Sequence, residues 1–189
     1  NRMLFDQVNK TPLNIDNLIQ PGRVIVIDTE DLSDTGRLIA AIYLSQVLYH
    51  YKMATTEHRG NPVFLCLDEL DKLLPKNPTK KDADFCGRAE SRIVDLSERS
   101  RKKQMGYLYT THSPNSVASN IMKMPKIKIA FQLDQHIPYI KEVFGPQYIT
   151  EISSLPTGTC RLKSTIVFGK QAVINCKLKF PRIHHNVEF

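Results

Sequence analysis

The sequence predicts an α/β fold: a mainly parallel sheet flanked by helices, followed by a C-terminal antiparallel hairpin. Three observations carry that prediction. Short β-friendly runs, RVIVID (23–28), VFLCLD (63–68), GYLYTT (106–111) and KIKIAFQL (126–133), alternate with stretches of helical spacing, and strands separated by helices join through right-handed crossovers that leave them parallel. The first two runs each end abruptly in carboxylates, as strands do when they leave a buried sheet for a polar loop. Near the C-terminus, CRLKSTIVF (160–168) and AVINCKLKF (172–180) flank Gly169-Lys170-Gln171, a hairpin pattern.

Pro21-Gly22 introduces Arg23–Asp28, whose β-branched residues read as a buried strand ending in the acidic loop TEDLSD. Ser33 or Asp34 is placed to cap a helix in which Leu38, Ile42, Leu44, Val47, Leu48 and Tyr51 recur at helical spacing to about Met53. Asn61-Pro62 opens the next strand, where proline is tolerated at the first position. KLLPKNPTKKDAD (72–84) is lysine-rich and twice interrupted by proline, which predicts a surface loop. Residues 83–103 read as a long helix with Ile93, Val94 and Leu96 toward the core and a basic end suited to the helix dipole. The strand at 106–111, a helix near 115–122, the strand at 126–133 and a helical stretch at 137–152 complete the pattern. The organisation expected is one domain over 1–189, with core strands and helices over about 20–155 and a terminal hairpin and tail over 156–189.

The composition, 189 residues with 41% hydrophobic and 24% charged, suffices for one sizeable core. A net charge of +7 favours an anionic partner such as nucleic acid or nucleotide phosphates. No run approaches 18 apolar residues and the start lacks a signal-peptide pattern, so a soluble, cytoplasmic protein without membrane contact is expected. Cys66, Cys86, Cys160 and Cys176 are widely spaced without a CxxC pair, which argues against structural zinc or a disulfide framework and predicts reduced thiols, mostly buried. The chain begins Asn-Arg-Met, which is read as the start of a fragment.

The chemistry centres on Asp68-Glu69. In an open parallel sheet, ligands collect at the carboxyl ends of strands, and these acids stand at such an end. Two neighbouring acids beside a nucleotide can divide the labour, one holding Mg²⁺ through its water shell and the other orienting or deprotonating a water. The competing reading is that Asp-Glu merely begins a helix, where acids favour the N-terminus.

The order of motifs around this pair resembles the C-terminal half of the ATPase core in the HerA/FtsK superfamily of DNA-translocating motors, with HerA the nearer likeness. VIVIDTEDLSD (24–34) precedes the Walker B-like VFLCLDE, and SERSRKKQMGYLYTTHSPN (97–115) follows it. Thr111-His112-Ser113-Pro114 stands where the family has Thr-Gln-x-Pro, and Ser100-Arg101-Lys102 resembles the family's Gly-Arg-Lys. IAFQLD (129–134) and LPTGTCRL (155–162) resemble the last core strand and the segment entering a terminal hairpin. The resemblance implies a RecA-like sheet and a hexameric ATP- and Mg²⁺-dependent DNA translocase or helicase. It implies roles for Asp68 in holding Mg²⁺, Glu69 in polarising water, His112 in sensing phosphate and Arg101 in reaching across a subunit interface. It also implies DNA as partner, with end processing beside a nuclease, plasmid transfer and virion DNA packaging as the known settings.

Three departures bear on that expectation. No GxxxxGK phosphate cradle ending in Ser or Thr occurs, since Gly169-Lys170 has Ser164 where the first glycine belongs. The family places this cradle upstream, so the chain is expected to be the C-terminal part of a longer ATPase, inactive alone, or a degenerate subunit. His112 replaces the usual glutamine, and its charge varies near neutral pH. Glu98-Arg99-Ser100-Arg101-Lys102 exchanges the family's first Arg and Glu, which favours Arg101 over Arg99 as the functional arginine.

Other charged features admit two readings. Arg99 and Arg101–Lys103 serve as an arginine finger, a DNA-phosphate contact or a solvated helix end. Lys123, Lys126 and Lys128 face DNA or guard an edge strand against aggregation. His184-His185, without a third ligand, reads as polar tail. Asp28, Glu30, Asp31 and Asp34 are explained by capping turns more simply than by a second cation site. From another functional class, the runner-up is a nucleotide-free DNA-binding or assembly module that keeps the fold.

Overall fold

The computed structural model describes residues 15, 19–54, 61–164, 166 and 172–179. The chain divides into two compact units, 1–123 and 124–189. Among the described residues no helix is long and apolar enough to cross a membrane.

In the first unit, helix α1 (Asp34–Ala54) begins where the sequence predicts, because the Ser33 hydroxyl accepts the Gly36 N–H at 3.2 Å. Its residues Leu38, Ala41 and Leu48 are buried. Strand β1 (Val63–Leu67) pairs in parallel with β2 (Met105–Tyr109), from Val63 opposite Met105 to Leu67 opposite Tyr109. Between them lie a one-turn helix α2 (Leu70–Leu73), absent from the sequence reading, and the predicted long helix α3 (Ala83–Ser100). Ile93 and Leu96 of α3 are fully buried as expected. A single 3-10 turn, Arg101–Lys103, carries α3 into β2 through Gln104 in the left-handed conformation (φ 56°). Helix α4 (Ser119–Lys123) ends the unit.

One apolar packing group joins Ile19, Leu48 and Met105, with Val63, Leu65 and Tyr107 against it. The buried Lys52 side chain reaches out of this region to donate to the Asn61 carbonyl at 2.7 Å.

Arg23–Asp28 does not form the buried strand expected of it. The segment has no regular secondary structure, and Val24 and Val26 are 89% and 86% exposed. A β-branched sequence favours extended backbone, but a strand exists only where a ladder forms, and a cleft of about 1090 Å³ separates this segment from β1.

In the second unit, β3 (Ile127–Ala130), β4 (Thr159–Ser164) and β5 (Ala172–Lys177) form an antiparallel sheet in that order. The predicted hairpin is therefore present, whereas the strand within 126–133 pairs antiparallel with β4, with Ile127 opposite Ser164, instead of joining β1 and β2. Ile127 and Ile129 are 45% and 52% exposed while Lys128 is half-buried and Ala130 buried, so one face of this strand meets solvent, as an antiparallel sheet allows and a parallel strand buried on both faces does not. The helical stretch predicted at 137–152 is interrupted: α5 (Ile137–Val143) stops before Gly145, at φ 111°, and Pro146, and α6 (Ile149–Ser153) follows a 3-10 turn. Ile140, Phe144, Ile152 and Leu155 bury Ala130 of β3 in this unit's core.

Candidate active site at the carboxyl ends of β1 and β2

Parallel pairing in register brings the loops after β1 and β2 to the same end of the sheet, and backbone bonds tie them together. The Thr110 N–H donates to the Leu67 carbonyl at 3.1 Å, and the Leu70 N–H donates to the Thr110 carbonyl at 2.9 Å. Side chains repeat the coupling. The Thr110 hydroxyl donates to Asp68 Oδ1, which also accepts the Glu69 N–H at 3.0 Å. The Thr111 hydroxyl donates to Asp71 Oδ1 and accepts the Ser113 N–H at 3.0 Å.

These bonds set the electrostatics of Asp68. The Thr110 hydroxyl foremost, then the Glu69 N–H and the electrostatic influence of nearby His112 and Lys72, hold its carboxyl below the ordinary aspartate range, against a partial loss of hydration that acts the other way. Asp68 is exposed, and both internal bonds fall on Oδ1.

Glu69 sits in the left-handed region, φ 49° and ψ 50°. That conformation is uncommon for a residue with a Cβ and lets the chain turn directly from β1 into α2. Both Glu69 carboxylate oxygens accept Lys72 Nζ at 2.8 Å, and the pairing pushes the Lys72 ammonium up. Thr110, Asp71 and Lys72 were missed by sequence reasoning. Only Lys72 left a signal, the three-residue spacing from Glu69.

Of the four predicted site residues, Asp68, Glu69 and His112 lie together, and His112 is exposed and close enough to act electrostatically on Asp68. Arg101 does not join them. It begins the turn that enters β2, whereas His112 follows β2's far end, and a five-residue strand spans roughly 17 Å. Arg99 is engaged by Asp95 at 2.6 Å, while among the described residues no ion pair engages the exposed Arg101.

The acidic turn after residue 28 is built by local capping. Asp28 accepts the Glu30 N–H at 2.8 Å, and Arg37 donates to the Thr29 and Glu30 carbonyls at 3.1 and 2.9 Å. Among the described residues no three His, Cys, Asp or Glu side chains converge to hold a metal. The cleft noted above runs from Gln20 along β1 to Asp68, Glu69 and Lys72. Lys128 turns inward to the Pro125 carbonyl at 2.8 Å, and burial, then Lys163 and Lys126, lower its ammonium, whereas Lys123 and Lys126 are exposed. Gly169-Lys170 and His184-His185 lie outside the described residues. All four cysteines are free, as expected, but only Cys160 is buried, which corrects the expectation of mostly buried thiols.

The fold is similar to that of the genome-packaging NTPase B204 from Sulfolobus turreted icosahedral virus 2. With the B204 structure in complex with ATP-gammaS, the TM-score is 0.59 at 12% identity over 90% of this chain and 74% of that chain. With the AMPPCP complex, it is 0.61 at 12% identity over 89% and 73%. With B204 described as the DNA-packaging ATPase from Sulfolobus Turreted Icosahedral Virus, it is 0.57 at 13% identity over 88% and 72%. No protein-family model and no curated protein matches the chain. At these identities what is shared is the α/β fold.

Proposed function

We propose that this chain supplies the Walker B and sensor elements of a P-loop ATPase of the HerA/FtsK type that moves DNA with the energy of ATP. The observation that carries the reading is the coupling of Asp68-Glu69, at the end of β1, to the Thr110–Ser113 loop through the Thr110 hydroxyl and backbone. The fold likeness to an NTPase solved with ATP analogues supports it, and among the family's settings that neighbour's part in genome packaging favours packaging over plasmid transfer or end processing with a nuclease. A cytoplasmic site of action belongs to the same reading.

The donor set suits Mg²⁺ and ATP. Asp68 is held ionised and Oδ1 takes both internal bonds, which leaves Oδ2 for the water shell of a hard cation. Bound there, Mg²⁺ would neutralise charge on the nucleotide phosphates. Glu69 has the role of orienting and deprotonating the attacking water, which requires its carboxylate to leave Lys72. His112 donates a hydrogen bond toward phosphate from the adjacent loop. Arg101, about a strand's length from Asp68 in its own chain, has its role at a neighbouring subunit's nucleotide in a homo-hexamer.

A second reading, a nucleotide-free DNA-binding or assembly module, is favoured by one observation: this sequence holds no phosphate cradle. The two readings part on one experiment. In a protein that includes the cradle, Glu69→Gln should keep nucleotide affinity and lower turnover by about 10² to 10⁴, while Asp68→Ala weakens Mg²⁺-dependent binding. Hydrolysis at the wild-type rate by Glu69→Gln overturns the assignment.

A further inference from the structure

Cys160 and Cys176 are sixteen positions apart in sequence, yet they are direct partners across the β4–β5 ladder. Opposed Cα atoms of an antiparallel pair lie about 4.5 to 5.5 Å apart, inside the 4.4–6.8 Å over which a disulfide can close. As direct partners across the ladder, the two side chains project on the same face of the sheet, close enough for the Cys176 sulfur to act on the Cys160 thiol. Neither Cys66 in β1 nor Cys86 in α3 has a cysteine as strand partner.

We propose that Cys160 and Cys176 form a reversible disulfide that locks the β4–β5 hairpin. The inference stands independently of the nucleotide reading above. The two thiols differ in access: Cys160 is 2% exposed and Cys176 is half-buried. Attack therefore begins at Cys176. Its thiolate attacks a sulfur of a small-molecule disulfide such as oxidised glutathione, which forms a mixed disulfide and expels one glutathione thiolate. Cys160 then loses its proton and attacks the Cys176 sulfur, which expels the second glutathione. Two protein thiols are oxidised, one disulfide is reduced to two thiols, and the two protons end on the released glutathione. Burial, and then the neighbouring Cys176 sulfur, push the Cys160 thiol up, which makes the second step the slow one.

The register also sets how permanent the bridge is. The Leu178 N–H donates to the Gly158 carbonyl at 2.8 Å, which makes 158 and 178 a hydrogen-bonded pair. By alternation 160 and 176 are one too, and such pairs are the more widely spaced of the two kinds. The Cα spacing of such a pair suits a disulfide, but its Cβ atoms stand toward the far end of about 4.5 to 5.5 Å where a disulfide needs about 3.5 to 4.5 Å, so closing the bridge strains the ladder locally and it should yield readily to reductant.

The test uses the full chain with oxidised glutathione, followed by alkylation and peptide mass mapping. Expected is a mass lower by about 2 Da with the Cys160 and Cys176 peptides joined. Cys66 and Cys86 stay outside the joined pair, and millimolar glutathione restores both thiols. Cys160→Ser should stop at the mixed disulfide on Cys176. The proposal is overturned if Cys160 and Cys176 of the wild-type chain are both recovered alkylated, if each carries glutathione separately, or if cross-links join other cysteines instead. A Cys160→Ser chain that fails to fold leaves the wild-type map as the deciding measurement.

Discussion

Thr110 donates its hydroxyl to the carboxylate of Asp68, a residue 42 positions earlier, and so joins the two loops that end the parallel strands. A hydroxyl bonded to a carboxylate stabilises the ionised form, and this bond is the foremost cause of the depressed Asp68 carboxyl.

Thr110→Val removes that donor at nearly constant volume. The Asp68 carboxyl should move up toward the ordinary aspartate range, a shift visible in a carbon-detected NMR titration. A carboxyl lowered by folding contributes stability that is present above its unfolded value and is lost as pH falls through the lower folded value. The variant should therefore lose about 0.5 to 1 kcal/mol at neutral pH, the modest range for an exposed site, and nothing once both states are protonated. Denaturant melts at pH 7 and in strong acid check this, and an equal loss at both would show that the bond acts by packing alone.

Glu69 holds a left-handed backbone that favours glycine. Glu69→Gly should exceed Glu69→Ala in stability by about 1 kcal/mol, because the alanine keeps the Cβ clash and both lack the carboxylate. Urea melts of the pair measure the difference. On the proposed role of Glu69, the glycine variant should also be inactive wherever the wild type hydrolyses ATP. Equal stability of the two variants would show that the turn relaxes around alanine.

Gly106 lies in β2 beneath the ring of Phe64, and a Cβ there would stand 2.6 and 2.8 Å from two ring atoms. Phe64 is 74% exposed, so the ring can swing aside. Gly106→Ala should cost under about 1 kcal/mol alone and turn favourable by about 0.5 kcal/mol in a Phe64→Ala background, where only the strand penalty of glycine is relieved. A thermal-melt double-mutant cycle reads the coupling. No coupling would place the ring elsewhere in solution.

Arg101 and Arg99 separate by their partners. If the chain works in the proposed ATPase assembly, Arg101→Ala should cut turnover by roughly 10³, the low end for arginine fingers. Arg99→Ala removes only a surface pair with Asp95 and should change turnover little. Mixing Arg101→Ala subunits with Glu69→Gln subunits should restore part of the activity, since some interfaces then pair an intact Glu69 with a neighbour's intact Arg101. Co-assembly without recovery would sink the trans role.

Local chemistry by itself determined much of this protein. The helices at 34–54 and 83–100 follow from apolar spacing and a serine cap, and VFLCL and MGYLY follow from β-friendly runs bounded by breakers. The acid pair at the end of β1 was legible because strand ends and charges are local facts. What only the tertiary structure decided are the pairings between distant segments. RVIVID has the same propensity as β1 but makes no ladder, and the strand at 127–130 turns to β4, because β propensity states a readiness to pair and not a partner. Thr110 on Asp68, Thr111 on Asp71, the separation of Arg101 from the acids, and Cys160 opposite Cys176 are all set by register. Register depends on which chains of side chains fill a common core, a cooperative property that no single stretch of sequence carries.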